Sequence, residues 1–240
     1  MKLVLFDIDG TILLTDGAAK RAFNRALVEV FGATGPANHS FGGKTDPQIA
    51  RELMRLAGFA DDHIDARLAR LFDLYLRYLD EELRAGANGI RVMPGVHELL
   101  DALEARADAI VGLLTGNIAA GARAKLTSAG IDPDRFVIGA FGSDHEQRGE
   151  LPAVAQRRAR ERLGVEVTGA DVIVIGDTPA DIHCGRGVGA RAIAVATGFF
   201  TLDQLREHAP AALFSDLSPT AEVIRAIFLE ETATAHSVIP

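Results

Sequence analysis

The chain begins with the stretch KLVLFDIDGT, residues 2–11, in which a short apolar run is followed by two aspartates, Asp7 and Asp9. The run has the length and composition of a buried β-strand. A buried carboxylate is costly unless a partner stabilises it, and two carboxylates this close also repel each other. The stretch therefore predicts a strand whose end either caps backbone groups or holds a cation and performs chemistry.

Further apolar runs of the same kind follow along the chain. They cover residues 109–114, 136–140, 172–175 and 192–196, and a sixth run at 212–214 has a weaker pattern. Helical patterns separate most of these runs, and such alternation is typical of a parallel sheet with helices on both faces. The sequence therefore predicts an α/β fold with a doubly wound parallel-sheet (Rossmann-like) core.

One long connection contains helical patterns and no strand. Apolar residues at spacings of three and four predict three amphipathic helices after the first strand. Asp46-Pro47 predicts an N-cap with proline at the first position of the second helix. We expect residues 16–88 to form an inserted helical cap domain and residues 1–15 and 89–240 to form the core. From about Thr232 the sequence predicts a poorly ordered tail.

Composition narrows the class of protein. The 240 residues carry a formal net charge of −8, which argues against a general binder of nucleic acid or anionic membranes. The single cysteine, Cys184, excludes an intramolecular disulfide and fits a reducing compartment. No apolar run has the length of a signal peptide or a membrane span. We expect a cytoplasmic protein, and the sequence leaves open whether it forms a homodimer.

Polar residues follow the predicted strands where each one ends. In an open parallel sheet, ligands bind beyond the carboxyl ends of the strands. Asp7 and Asp177 are hard oxygen ligands of the kind that Mg²⁺ prefers. Thr115 and the backbone amides of Gly116 and Asn117 could bind phosphoryl oxygens where a helix begins. These residue types suit phosphoryl transfer.

The same residues suggest a division of roles. An ionised aspartate can attack as a nucleophile and form an aspartyl-phosphate. A second aspartate that is held off the metal can protonate the leaving group and then activate water. Arg148, after the third strand, is the best-placed cation for the negative charge of the transition state.

Three stretches resemble the first, second and fourth motifs of the haloacid dehalogenase superfamily: FDIDGT at residues 6–11, LLTGN at 113–117 and GDTPAD at 176–181, in that order. The chain is similar to its phosphatases with a helical cap after the first core strand, such as phosphoglycolate phosphatases. The resemblance implies a Mg²⁺ cofactor, Asp7 as nucleophile, and Asp9 as general acid and base with its backbone carbonyl on the metal. It further implies Asp177 as a metal ligand and Asp181 in support. In the second motif it implies Thr115 as a catalytic residue, and for the substrate it implies contacts from Gly10, Thr11, Gly116 and Asn117.

The chain departs from the family pattern in the third motif, which usually carries a lysine. The matching region, residues 147–152, reads QRGELP. Arg148 is predicted to take the role, although a planar guanidinium is not equivalent to the point charge of lysine. Lys125 lies in the helix after the second motif, where we expect a surface side chain. Lys44 lies in a loop that meets the substrate in similar enzymes, so it is either a substrate contact or an exposed loop lysine.

The leading hypothesis is a Mg²⁺-dependent phosphatase for a small phosphorylated metabolite, such as a phosphoglycolate-like or sugar-phosphate-like monoester. The first alternative is a phosphomutase resembling β-phosphoglucomutase. Those enzymes usually carry a hydrophobic residue where this chain has Thr11, which favours the phosphatase. The second alternative is a non-catalytic regulatory binding module on the same fold. The intact aspartates argue against such a module, whereas the missing lysine lends it some support.

Overall fold

The computed structural model describes residues 1–86 and 89–229. Its main sheet has six strands: β1 Lys2–Phe6, β4 Ala109–Thr115, β5 Ile138–Phe141, β6 Val172–Gly176, β7 Arg191–Val195 and β8 Ala212–Phe214. The strand order is β5-β4-β1-β6-β7-β8, and every neighbouring pair is parallel. The predicted α/β fold with a parallel-sheet core is confirmed, including the weak sixth strand.

Nine α-helices lie in the part of the chain that the structure describes. They are α1 Ala18–Phe31, α2 Asp46–Leu56, α3 Asp61–Ala85, α4 Val96–Glu104, α5 Ala119–Ser128, α6 Leu151–Leu163, α7 Pro179–Cys184, α8 Leu202–Arg206 and α9 Thr220–Phe228. In the described ranges, none of these helices combines the length and the apolar character that crossing a membrane would require.

The first strand shows why its sequence does not alternate between polar and apolar residues. Leu3 and Leu5 pack into the apolar cluster on one face of the sheet, and Val4 and Phe6 pack into the cluster on the other face. All four side chains are fully buried. A strand covered on both faces needs apolar residues at every position, which is the pattern that predicted it.

The helices α1–α3, called the cap helices below, have an apolar cluster of their own. Phe23, Leu53 and Tyr75 are fully buried in it, and the rings of Phe23 and Tyr75 meet edge to face at 5.1 Å. The chain enters and leaves this region through two short antiparallel strands, β2 Leu13–Leu14 and β3 Arg91–Val92. The division into a cap of residues 16–88 and a core stays a prediction. Its boundary at Asn88 and the tail from about Thr232 lie outside the described residues.

Two local expectations are corrected. The run at 136–140 becomes a strand only from Ile138, because the amide of Phe136 closes a 3₁₀ turn by donating to the carbonyl of Pro133. The N-cap of α2 is Thr45 rather than Asp46, since the Thr45 hydroxyl accepts the amide of Gln48. Asp46 is therefore the first residue of the helix, and its side chain is available for a contact elsewhere.

Candidate active site

The carboxyl ends of the strands and the cap helices enclose a cavity of about 510 Å³, called the site cavity below. The central strand β1 lies between β4 and β6, so the residues that follow these three strands are neighbours. Most of the predicted site residues line the cavity: Asp7, Asp9, Gly10, Lys44, Thr115, Gly116, Asn117, Arg148 and Asp177. Thr11 and Asp181 are buried and contact lining residues through hydrogen bonds.

Asp7 and Arg148 form a buried ion pair. Nη2 of Arg148 donates to Oδ1 of Asp7 at 2.9 Å, to Oδ1 of Asp181 at 2.5 Å and to the Leu114 carbonyl at 3.3 Å. The Nε atom of Arg148 is buried and has no hydrogen-bond partner in the described chain. Burial alone would lower the pKa of Arg148, but Asp181 and Asp7 raise it. The guanidinium thus contributes one nitrogen and one permanent charge, and its planar fork is not used.

Three carboxylates at this point are suited to a divalent cation. Oxygen atoms of Asp7, Asp177 and Asp181 lie within 4.8 Å of one another, and all three residues are buried. Burial, together with the negative charges of the neighbouring aspartates, raises the pKa of Asp7 to about 6 and that of Asp177 to about 8. The single guanidinium of Arg148 does not neutralise all three carboxylates. Buried carboxylate oxygens in excess of positive charge are the donors that Mg²⁺ prefers. The residues present therefore fit this metal.

The backbone at Gly10 and Gly198 approaches the Asp177 side chain so closely that an added Cβ atom would displace the carboxylate. A Cβ atom on Gly10 would lie 2.4 Å from Oδ2 of Asp177, and one on Gly198 would lie 1.8 Å from the same oxygen. Gly10 also has a φ of 90°, a conformation that side chains disfavour. The hydroxyl of Thr11 donates to the other oxygen, Oδ1, at 3.1 Å. The first and fourth motifs are thus joined directly at Asp177.

Asp181 is already fully engaged by protein donors. Its Oδ2 accepts the amide of Thr178 at 3.0 Å and the Thr178 hydroxyl at 2.6 Å, which forms the capping box of α7. Its Oδ1 accepts from Arg148. This arrangement suits a residue that holds Arg148 in place, and it leaves Asp7 and Asp177 as the carboxylates with oxygen atoms to offer.

The crowded carboxylates predict how stability responds to pH and Mg²⁺. Because the folded pKa values of Asp7 and Asp177, about 6 and about 8, exceed the unfolded value of 3.8, the folded state holds protons that the unfolded state releases. The free energy of unfolding of the metal-free protein should therefore fall as the pH rises from about 4 to about 8. Mg²⁺ should raise the melting temperature more at about pH 8 than at about pH 6, where proton competition is stronger.

Thermal unfolding with MgCl₂ or EDTA at the two pH values measures both effects. Asp177→Asn is the matched variant, since it removes one carboxylate and should reduce both the pH dependence and the Mg²⁺ shift. A Mg²⁺ shift in this variant equal to that of the wild type would place the metal elsewhere.

The loop after β4 links the core to the cap helices. The amide of Asp46 donates to the Gly116 carbonyl at 2.8 Å, and the Asp46 carboxylate accepts the amide of Ile118 at 2.8 Å. A Cβ atom on Gly116 would lie 1.9 Å from the carbonyl oxygen of Lys44. Burial raises the pKa of Asp46 to about 6. The expected N-cap residue is thus a bridge to the amide at the start of α5.

Lys125 is not on the surface, and that expectation was wrong. Its side chain is 3% exposed, and Nζ donates to both oxygens of Asp9 at 2.7 and 2.6 Å and to Oδ1 of Asn117 at 2.6 Å. The helix pattern contained the signal, because Lys125 follows Ala122 by three residues and directly precedes Leu126. Both apolar residues are buried, so Lys125 lies on the same inward face.

Some residues at the cavity wall, such as Lys20 and Phe199, could not be assigned to the site from the sequence. Lys44 was a candidate, but its partner could not be predicted. Nζ of Lys44 donates to Oε2 of Glu52 at 2.5 Å and lies 3.2 Å from Nε2 of His39. Lys20 lies over the ring of Phe41, with 5.1 Å between Nζ and the ring centroid. Phe199 lines the cavity while 93% of it is exposed. The cap side of the cavity thus offers two lysines and apolar rings.

Comparison with known proteins agrees with this geometry. Residues 1–189 match the family model of haloacid dehalogenase-like hydrolases. A phosphoglycolate phosphatase from Rhodospirillum rubrum is 31% identical over 223 residues, which cover 90% of this chain and 88% of that protein. The predicted family and the predicted enzyme class, a phosphatase of this family, are confirmed.

Solved structures share the fold. A predicted phosphoglycolate phosphatase from Haemophilus somnus superposes with a TM-score of 0.67 at 21% identity, covering 93% of this chain and 98% of that one. A β-phosphoglucomutase from Clostridium difficile superposes with a TM-score of 0.71 at 16% identity, covering 95% and 97%. At these identities the likeness concerns the fold alone. Together with the family model and the R. rubrum relative, it shows that this chain belongs to the haloacid dehalogenase-like hydrolases.

Proposed function

We propose that the protein is a Mg²⁺-dependent phosphatase that hydrolyses a small phosphomonoester through an aspartyl-phosphate on Asp7. The observation that carries this proposal is the position of the Asp7 carboxylate. It lies in the site cavity, next to the buried charge of Arg148 and within reach of Asp177. A carboxylate that is oriented by a fixed cation and opens into a cavity is placed to act as a nucleophile.

The proposed reaction has two halves. In the first, a carboxylate oxygen of Asp7 attacks phosphorus, the ester P–O bond breaks, and the leaving oxygen takes a proton from Asp9. In the second, Asp9 takes a proton from water, the water oxygen attacks phosphorus, and the bond to Asp7 breaks to release phosphate. Each half returns what the other consumed, so Asp7 and Asp9 end in their starting states.

The surrounding residues support charge neutralisation and orientation. Asp7, Asp177 and the backbone carbonyl of Asp9 would hold Mg²⁺, which when bound offsets the negative charge of the phosphoryl group. Arg148 keeps the Asp7 carboxylate in place and adds a second fixed positive charge. The Thr115 hydroxyl, which accepts the side-chain amide of Asn117 at 2.8 Å, is available to donate its proton to a phosphoryl oxygen.

The cap side of the site cavity supports a small anionic or polar leaving group. Lys20 and Lys44 line it together with the aromatic rings of Phe23, Phe41 and Tyr75. The R. rubrum relative is named for phosphoglycolate, which supports a phosphoglycolate-like substrate. A sugar phosphate is the other class that we propose. We place the activity in the cytoplasm, where small phosphorylated metabolites are found and where a single unpaired cysteine stays reduced.

The test is phosphate release from a panel of small phosphomonoesters, measured with Mg²⁺ and with EDTA. Release that requires Mg²⁺ supports the phosphatase, and the ranking of kcat/KM across the panel names the substrate class. If label from the phospho-enzyme passes to a sugar phosphate rather than to water, the protein is a mutase. No turnover of any panel member by folded, Mg²⁺-loaded protein would favour the binding module.

A further inference from the structure

Lys125 is a buried cation whose three donors are all directed at the catalytic loops. Nζ bonds to Oδ1 and Oδ2 of Asp9 and to Oδ1 of Asn117, at 2.6–2.7 Å. The side chain reaches this point from α5, and Lys125 itself lies 116 positions after Asp9 in the sequence. Packing does not explain the residue, because Ala122 and Leu126 beside it are apolar and a methionine would fill the same space.

The same contacts determine how Asn117 faces Asp9. Since Lys125 can only donate, it fixes the Asn117 side-chain oxygen toward itself and turns the amide nitrogen the other way. That nitrogen donates to Oδ2 of Asp9 at 2.7 Å and to the Thr115 hydroxyl at 2.8 Å. Asp9 thus accepts three charge-assisted or amide hydrogen bonds on one side, while 41% of its side chain remains exposed.

We propose that Lys125 is a positioning residue that, together with Asn117, holds the Asp9 carboxylate toward the site cavity. The proposal rests on the proposed function, in which Asp9 exchanges protons with the leaving group and with water. A carboxylate on a single side chain has two rotatable bonds, and three donors restrict it to one orientation. Without Lys125, the Asp9 carboxylate can still exchange protons, but it is no longer held in the orientation that faces the site cavity.

An aryl phosphate separates this role from a general loss of structure. The p-nitrophenolate leaving group needs no proton, so the first half-reaction does not depend on Asp9, whereas the attack of water does. For Lys125→Met we expect the first-turnover burst of p-nitrophenolate to persist and the steady-state rate to fall by about 100-fold. Phosphorylated Asp7 should then accumulate, and intact-mass measurement after acid quench detects it. An alkyl phosphate should lose the first half-reaction as well.

Several outcomes would overturn the proposal. A purely structural role predicts that burst and steady-state rates fall by the same factor, because both report the fraction of folded enzyme. Unchanged steady-state turnover would also exclude the role. In an Asp9→Asn background, Lys125→Met should cause little further loss, and full additivity would contradict a mechanism that acts through Asp9.

Two further variants keep the test decisive. If Lys125→Met melts below the assay temperature, Lys125→Gln takes its place, since it can donate to one Asp9 oxygen only and is expected to give the same separation of the two phases. Asp7→Asn shows no burst if the proposed function holds. A burst that survives in Asp7→Asn would therefore contradict the proposed aspartyl-phosphate on Asp7, and it would not by itself test the role of Lys125.

Discussion

Replacing Asp7 with asparagine is expected to lower phosphate release by at least about 1,000-fold and to abolish the phospho-enzyme. An amide oxygen is a poor nucleophile, and an aspartyl-phosphate cannot form on asparagine. The measurement combines phosphate release in Mg²⁺ with intact-mass detection of a phosphoryl adduct after acid quench.

The same substitution should leave the fold intact. The asparagine side chain fills the same space next to Arg148, and one member of a crowded carboxylate group loses its charge. Because burial raises the pKa of Asp7 to about 6, its ionised form is disfavoured in the metal-free protein. The melting temperature at about pH 8 in EDTA should therefore not fall.

Asp203→Asn is the matched control for Asp7→Asn. Its side chain is 90% exposed, and among the described residues it pairs with Arg206 alone, in the same short helix. We expect wild-type activity from this variant. If Asp7→Asn retained more than about a tenth of the wild-type rate with Mg²⁺, hydrolysis would proceed without the aspartyl-phosphate, and water would attack the substrate directly.

Replacing Arg148 with methionine is expected to cost both stability and activity. The substitution removes the one cation that contacts Asp7 and Asp181 in the described chain and leaves three buried carboxylates close together. Breaking a buried ion pair in this way costs about 3–5 kcal/mol of unfolding free energy. Urea or thermal unfolding in EDTA measures this loss, and Mg²⁺ should recover part of it.

Arg148→Lys is the informative partner of that variant. All hydrogen bonds of the guanidinium within the described residues come from Nη2, and Nε makes none, so an ammonium can replace it as a point charge. We expect Arg148→Lys to keep activity within about tenfold of the wild type, since the positive charge is retained. The remaining loss arises because the lysine side chain is shorter by about one bond. A lysine variant as inactive as the methionine variant would show that the guanidinium shape itself is required.

The sheet could be predicted because a strand that is buried on both faces has apolar residues at consecutive positions. β1 is apolar at nearly every position, and its end identifies the site edge, so the amino-acid pattern alone was enough to place Asp7 and Asp177 together. The start of the strand at Ile138 was less predictable, since it depends on a turn closed by the Phe136 amide. Periodicity reports which face is buried, and it does not report where backbone hydrogen bonds begin.

The residues that the sequence misjudged are those whose partners are distant along the chain. Lys125 and Asp9 are separated by 116 positions, and Asp46 and Ile118 by 72. From local sequence, a lysine after a motif is expected on the surface and an aspartate before a proline is expected as an N-cap. Only the tertiary contacts show that both side chains are buried and bonded to distant residues. The strand ends that were expected to meet do lie together, whereas the contacts of Lys125 and Asp46 could not be predicted from the sequence.

The bridge between the cap helices and the loop after β4 has a consequence for how such enzymes diversify. Asp46 grips this loop at Gly116 and Ile118, on either side of Asn117, which orients Asp9. The cap helices and the loop that carries Thr115 and Asn117 are therefore joined by hydrogen bonds from Asp46. A cap grafted from a relative would bring its own contacts to the loop after β4. It would transfer a new substrate preference only if residues 44–46 were transferred together with the loop that they contact.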